Sequence, residues 1–406
     1  MADISELSKL KALAQEHHDD MILFCRRLIQ TPSLPGEEEE IAELVRREME
    51  TLGYDEVWID AVGNVIGKMR GDGGPSVMFN CHLDHVAPGD EQQWLFPPYS
   101  GEIYKDHIWG RGASDTKGAL APQVYALAAL RKAGLLLPGD VYVTGVVQEE
   151  VGGLGMDNLL KHLTTDAVIL GEATSNRLAR GHRGRGEILA RIQGRAVHAS
   201  VPEKGVNPHF VAARFLLKLE EVSLGHHPEL GAATLAPTLY LTDQTSRNVT
   251  PGQVDVHLDW RLVPGDQPEE LVEELQQILE ECLIPDSRGG VSLMQRSLQT
   301  YTGHEQTLPV LSRSYLLPQD HPLLQESQAI LSETLEREIP VGEWRFATDG
   351  GHTMKAGIPT IGFSPCEEHL AHTNEDRVSI TLMTESLAGY MALALYLGAR
   401  LEKETE

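Results

Sequence analysis

Three apolar stretches with β character each end on a side chain of the metal-binding kind, and this restricts the fold more than any other feature of the chain. Residues 76–81 run directly into His82, residues 141–147 lead to Glu149 and Glu150, and residues 167–171 lead to Glu172. Short apolar runs of this length, bounded by turn residues, read as buried strands. In an open α/β sheet, a side chain at a strand's carboxyl end faces the crevice where such sheets bind ligands. One sheet edge therefore receives an imidazole and three carboxylates. Between the strands, helical spacing runs over residues 5–29 up to Thr31-Pro32, over residues 37–52 up to Gly53, and from Lys117 to Gly134. Strands alternating with helices make this an α/β chain. The run Glu37-Glu38-Glu39-Glu40 reads as a solvated first turn, favoured by the helix dipole.

The residue types point to a hydrolytic centre. Imidazole and carboxylate ligands suit zinc, manganese or cobalt, and two such ions about 3.5–4 Å apart can hold one water and polarise one carbonyl. A carboxylate must bridge them. Asp115, within Gly110-Arg111-Gly112-Ala113-Ser114-Asp115-Thr116-Lys117-Gly118, is the candidate, because the glycines allow a tight loop to come close. His82 and Glu172 then complete one ion's set, and Glu150 and His372 the other's. Asp84 fits an acceptor for the free N–H of His82. Glu149 is left without a metal and can take a proton from the attacking water.

The segments His82-Leu83-Asp84, Gly110 to Gly118, Glu149-Glu150, Gly171-Glu172-Ala173-Thr174 and His372-Thr373 stand in the order found in the M20 metallopeptidases, and the chain resembles that family from Thr31-Pro32-Ser33 to its last helix. The family includes acetylornithine deacetylase, succinyl-diaminopimelate desuccinylase and glutamate carboxypeptidase. The resemblance implies two zinc ions, replaceable by cobalt or manganese, on His82, Asp115, Glu150, Glu172 and His372, with Asp115 bridging and Glu149 as general base. It also implies a mixed-sheet catalytic domain of zinc-exopeptidase type carrying an inserted α/β sandwich that acts as lid and dimerises. His198 matches the lid histidine that enters a partner subunit's site and helps hold the oxyanion, a donor aimed at developing charge. Arg183, Asn248 and Arg261 fall in segments resembling those that hold a substrate carboxylate, which a guanidinium matches bidentately. Asp349 and the segment from Gly357 to Thr360 look like the pocket floor. His85 departs from the pattern, since many relatives carry Thr there, and it would add a donor or a metal contact near the site.

With 406 residues the chain exceeds one typical core, so two domains are expected. Strands near 186–193, 234–241, 253–262 and 290–295, with helices near 206–222 and 268–282, mark the second unit. The expected division is a catalytic domain over 1–177 and 299–406, interrupted by an insert over 178–298. A net charge of −26, from 34 basic and 60 acidic residues, disfavours nucleic acid and anionic membranes as partners. No basic, apolar leader opens the sequence and no uninterrupted apolar stretch reaches the roughly 18 residues of a bilayer span, so the cytoplasm is expected. Cys25, Cys81, Cys282 and Cys366 are too scattered for a disulfide scaffold or zinc finger.

The leading functional expectation is hydrolysis of the amide of a small N-acyl amino acid, in a homodimer. A metal-dependent exopeptidase acting on short peptides is the alternative. A non-catalytic metal-dependent binding protein is disfavoured, because Glu149 stands beside the five ligand candidates without being needed for metal.

Overall fold

The computed structural model describes residues 4–401. The three apolar runs lie side by side, as their composition requires. Gly74–His82 runs parallel to Gly139–Val146 on one side and to Ala167–Leu170 on the other, with Asn80 level with both Thr144 and Leu170. Their site-proximal halves are buried, the pattern of parallel strands covered by helices on both faces. Thr360–Gly362 extends this parallel block. Antiparallel strands flank it, Val65–Met69 and Glu56–Ile59 at one edge, and Leu178–His182 with Tyr315–Leu316 at the other. Val341–Trp344 adds a parallel partner to Leu178–His182, so the described residues form a nine-stranded mixed sheet.

Helices close both faces. Gly118–Lys132 is apolar all round and is buried from Gly118 to Leu130, as a helix enclosed on every side must be. It packs against Ile380–Leu401, which also contacts Pro322–Leu335. Ile380–Leu401 is 22 residues long and, by length and composition, apolar enough to cross a membrane. Its apolar window is 67% buried inside the protein, so packing accounts for that composition. The four cysteines are free and buried in the described chain.

A second sheet stands apart with its own core. Arg185–Gln193 is flanked by Gln253–Arg261 and Arg288–Leu293, with Thr234–Thr242 at an edge and Leu311–Ser312 also paired to Arg185–Gln193, all antiparallel. Alternate residues face inward, as the two-residue period of a strand dictates. Ile188, Ala190 and Ile192, with Val254, Val256, Leu258 and Trp260, meet Val211 and Phe215 of Pro208–Lys218 and Leu271, Leu275 and Leu279 of Pro268–Cys282. The other face carries the cross-strand ion pairs Arg191–Asp255 and Arg185–Asp259.

Two boundaries differ from the expected ones. Leu178–His182 belongs to the large sheet, so the chain leaves that sheet only after His182 instead of at residue 178. On the return, Gln295–Gln299 and Glu305–Pro309 form a hairpin, Leu311–Ser312 still pairs within the second sheet, and Tyr315–Leu316 is the first segment back, instead of residue 299. Polar residues conceal the first boundary: Arg180 and His182 sit in a wholly buried strand because Glu229, Glu343 and Leu317 O satisfy the former and Arg183 O and Thr348 the latter. The first helical stretch is also two helices, Ile4–Glu16 and His18–Gln30, broken at His17.

The central parallel pair begins at a close backbone approach. A Cβ on Gly139 would lie 2.1 Å from the Pro75 carbonyl oxygen, whereas one on Gly290 would meet nothing within 4 Å. Gly139→Ala is therefore expected to cost about 1–3 kcal/mol through forced backbone displacement, and Gly290→Ala to be near neutral. Thermal denaturation of both variants checks this, and equal melting temperatures would refute it.

Candidate metal centre

Strand register delivers the first donors. His82 closes Gly74–His82, and the neighbouring strands continue past their ends into Gln148-Glu149-Glu150 and Gly171-Glu172. His82 Nδ1 donates to the Asp84 main-chain carbonyl at 2.9 Å, which leaves Nε2 facing the carboxylates, 3.0 Å from Asp115 Oδ1 and 3.9 Å from Glu172 Oε1. The Asp84 carboxylate does not take the imidazole N–H as expected, lying 3.6 Å from Nδ1. Instead Oδ1 and Oδ2 accept the backbone N–H groups of Glu149 and Glu150, each at 3.1 Å. Asp84 thus fixes the turn that carries both glutamates, because its side chain turns across the crevice to the adjacent strand end.

Asp115 arrives from a loop held by a residue far along the chain. Gly112 adopts φ +82°, and a Cβ on Gly110 would lie 2.4 Å from Ile29. Buried Asp376 accepts the Gly112 N–H at 2.7 Å, the Ser114 N–H at 2.8 Å and Arg111 Nη1 at 3.1 Å. The same carboxylate lies four residues beyond His372, so one side chain ties the Asp115 loop to the His372 loop. His372, at φ +60°, points Nε2 at Asp115 Oδ2 and Glu150 Oε1, both at 3.0 Å. Asp115 therefore turns one oxygen to each histidine, the orientation a bridging carboxylate needs.

Negative charge exceeds what the two imidazoles offset. Burial, then the charge of Glu172, pushes the Glu149 carboxyl well above the usual range, and burial does the same to Glu172. Glu150 is raised by burial as well. Burial opposes charge on His82, but Asp115 and Asp84 outweigh it and hold the imidazole well above its ordinary value. Hydrogen bonds to Asp115 and Glu150 carry His372 to about 10. Burial would raise Asp115 too, but His372 and His82 pull it below the usual carboxylate range. Asp349, pushed up to about 7 by burial, keeps a buried Oδ2 without a hydrogen-bond partner. Donor atoms of His82, Glu149 and Glu172 lie within 4.8 Å of one another, as do those of His82, Asp115 and Glu150. Buried carboxylates in such excess either take up protons or hold cations, and oxygen and imidazole donors together fit divalent metals. By position Glu149 falls in a donor group with His82 and Glu172, so distance does not separate it from the metal ligands.

The family profile "Peptidase family M20/M25/M40" matches residues 78–396, which include every one of these donors. The chain belongs to that family. It is 30% identical over 388 residues to the protein YgeY of Escherichia coli (strain K12), covering 94% of this chain and 95% of that one. To the succinyl-diaminopimelate desuccinylase of Dechloromonas aromatica (strain RCB) it is 28% identical over 275 residues, covering 64% and 73%. Among solved structures, the YXEP protein of Bacillus subtilis, a dinuclear metal binding peptidase from the M20 family, matches with a TM-score of 0.68 at 15% identity, over 94% of this chain and 99% of that one. The mixed-sheet α/β fold is thus that of the family, and this chain is a metal-binding hydrolase of the M20 kind.

Other expected residues of this M20 hydrolase fall into separate places. Arg183 and Arg261 line a cavity of about 560 Å³ that also touches Glu149 and Glu150. Arg183 Nη2 donates to Ala232 O and Arg261 O, and Arg261 pairs with Asp259. His198 and Asn248 lie together on the exposed face of the insert, 3.5 Å apart, with His198 Nδ1 2.7 Å from Ser200 Oγ. Neither lines that cavity. His85 adds no donor to the centre: its Nδ1 donates to Val86 O, its Nε2 accepts the Ser33 N–H, and burial lowers it to about 3, so it is a neutral core residue bracing the Thr31-Pro32-Ser33 turn. Glu38 is a second correction. It is fully buried, not solvated, and accepts the Gly36 and Gln148 N–H groups directly behind the Glu149 turn, with burial raising it to about 7. Asp376 and Glu38 carry no distinguishing signal in the sequence, because each stands in a polar run; the short spacing of Asp376 from His372 is the one local indication of a shared loop.

If Asp84 holds the Glu149-Glu150 turn as its bonds indicate, Asp84→Ala is expected to weaken metal affinity about 10- to 100-fold in a folded protein. Competition against a chelator of known affinity measures it, and unchanged affinity with native melting would refute the role.

Proposed function

We propose that this M20 hydrolase cleaves the amide bond of a small N-acyl amino acid, with Glu149 moving the proton. The observation that carries the reading is the position of Glu149, which stands within 4.8 Å of the His82 and Glu172 donors and also lines the adjoining cavity. Two divalent cations on His82, Asp115, Glu150, Glu172 and His372, zinc being the assignment, would supply Lewis acidity to the scissile carbonyl and to the attacking water. Glu149 takes the proton of that water and delivers it to the leaving nitrogen. Burial raises the carboxyl's proton affinity and the bound cations would lower it, so the two act in opposite senses on the group that exchanges the proton. Asp84 and Glu38 hold the backbone that presents it.

Glu149→Gln is expected to lower kcat roughly 10²- to 10⁴-fold with both metals retained, while Glu150→Ala loses metal. Elemental analysis of each variant together with turnover on N-acetyl and N-succinyl amino acids checks the assignment. Near-normal turnover by Glu149→Gln would overturn it. Dipeptides cut faster than any N-acyl amino acid would favour the exopeptidase reading, which shares this centre.

The proposal extends to a homodimer in which the insert is a lid supplying His198 to the partner's centre. Supporting it, the strand Thr234–Thr242 presents an open sheet edge with Leu239, Tyr240 and Leu241 exposed, beside exposed Phe210 and Leu217 of the adjoining helix. Such an edge is ordinarily covered or blunted, and a two-fold axis would cover it with its own copy. Mixing His198→Ala with His82→Ala subunits should then restore part of the activity, since one site per mixed dimer is intact. Proven exchange without recovery would exclude action in trans.

A further inference from the structure

The cavity beside Glu149 lies where the chain crosses between the two sheets, and its charge is opposite to that of the protein. Among the described residues, five guanidinium groups line it, Arg183, Arg185, Arg261, Arg296 and Arg345, against two acidic lining residues, Glu149 and Glu150. The whole chain carries a net charge of −26, so this clustering runs against composition. Arg185 and Arg261 share Asp259, and Arg185 also meets Glu187. The remaining three have no carboxylate partner among the described residues. Arg183 is committed through Nη2 to two carbonyls and keeps a buried Nε without an acceptor. Arg296, on the hairpin strand Gln295–Gln299, donates Nη1 to Val151 O, immediately after the glutamate turn. Arg345 follows the strand Val341–Trp344 and is exposed at the cavity, its guanidinium without an ion pair or hydrogen bond among the described residues.

The hairpin is braced against the large domain, which makes Arg296 a fixed wall and not a loose surface side chain. Gln148 Nε2 donates to Gln299 O at 2.7 Å, Tyr301 Oη to Gly63 O at 3.0 Å, and Asn158 Nδ2 to Gln306 Oε1 at 2.8 Å. Guanidinium groups left unpaired around a half-open cleft match oxyanions in forked geometry, and several of them offset the repulsion that an acidic protein imposes on an approaching anion.

We infer that this cavity receives the end of the substrate remote from the scissile amide, that this end carries two negative charges on carboxylate or phosphate oxygens, and that Arg296 and Arg345 select it. The inference rests on the hydrolase reading of Glu149 for what is cut, but not for what is bound.

The test uses the full-length, metal-loaded protein in two arms. In the binding arm, calorimetry with glutarate, glycerol 3-phosphate and butyrate should show both dianions binding and the monoanion at least tenfold weaker. Tighter glutarate assigns carboxylates and tighter glycerol 3-phosphate assigns phosphate. Arg296→Gln and Arg345→Gln should each weaken the dianions about tenfold or more, as loss of a hydrogen bond to a charged group does, with metal content and melting temperature unchanged. In the kinetic arm, the dianion N-acetylglutamate should exceed the monoanion N-acetylglutamine in kcat/KM by at least tenfold, with the difference in KM, and each variant should erase that preference by lowering N-acetylglutamate at least tenfold more than N-acetylglutamine. Equal binding of butyrate and glutarate, or arginine variants that lower both substrates alike, would overturn the inference. Failure of the hydrolase reading looks different: neither amide is cut, while arginine-dependent glutarate binding persists and upholds the anion site.

Discussion

Crowding of carboxylates at the ends of three parallel strands is the constraint around which this structure is arranged. Asp115, Glu149, Glu150 and Glu172 converge on two imidazoles, and Asp349 adds a buried oxygen without a partner. Left to itself such a cluster would repel, and burial raises the cost. The protein meets this with backbone as well as with the expected cations. Asp84 is occupied by two N–H groups, Asp376 by two N–H groups and a guanidinium, and Glu38 by two more N–H groups. Each of these buried acids is satisfied away from the centre, and each in doing so holds a segment that carries a donor.

That division of labour explains why the centre needs almost the whole chain. Asp376 joins loops more than 250 residues apart in sequence, so the large domain must close after the insert before the donors meet. The insert leaves and rejoins at Arg183-Gly184 and near Arg313, and the cavity forms between those crossings. Its wall is thus drawn from the second sheet and from segments that follow strands of the large one, whereas the donors belong to the large domain alone.

Much of this was legible in the sequence where a strong local period existed. The runs before His82, Glu149 and Glu172 are apolar and short, and their ends lie level in the sheet. The insert's strands and helices fell within a few residues of their expected places because its alternation is clean, as in Gln253–Arg261. What failed had no such period. Leu178–His182 is a buried strand containing Arg180 and His182, so its polarity hid it. Glu38 stands in an acidic run whose ordinary reading is solvation, yet it is the buried one of the four. His85, two residues from Asp84, turns to Ser33 and away from the centre.

Sequence alone determined the α/β class, the candidate donors and their order along the chain, since strand periodicity and side-chain chemistry are local properties. Tertiary structure decided which acid does what. Whether a carboxylate faces the centre, caps a turn or clamps two loops depends on which backbone N–H groups lie within about 3 Å of it, and those come from distant segments. The same holds for Arg296 and Arg345, ordinary surface residues in sequence, which meet Arg183 and Glu149 around one cavity because the hairpin folds back against the large domain and because Val341–Trp344 pairs with Leu178–His182 at the edge of the large sheet.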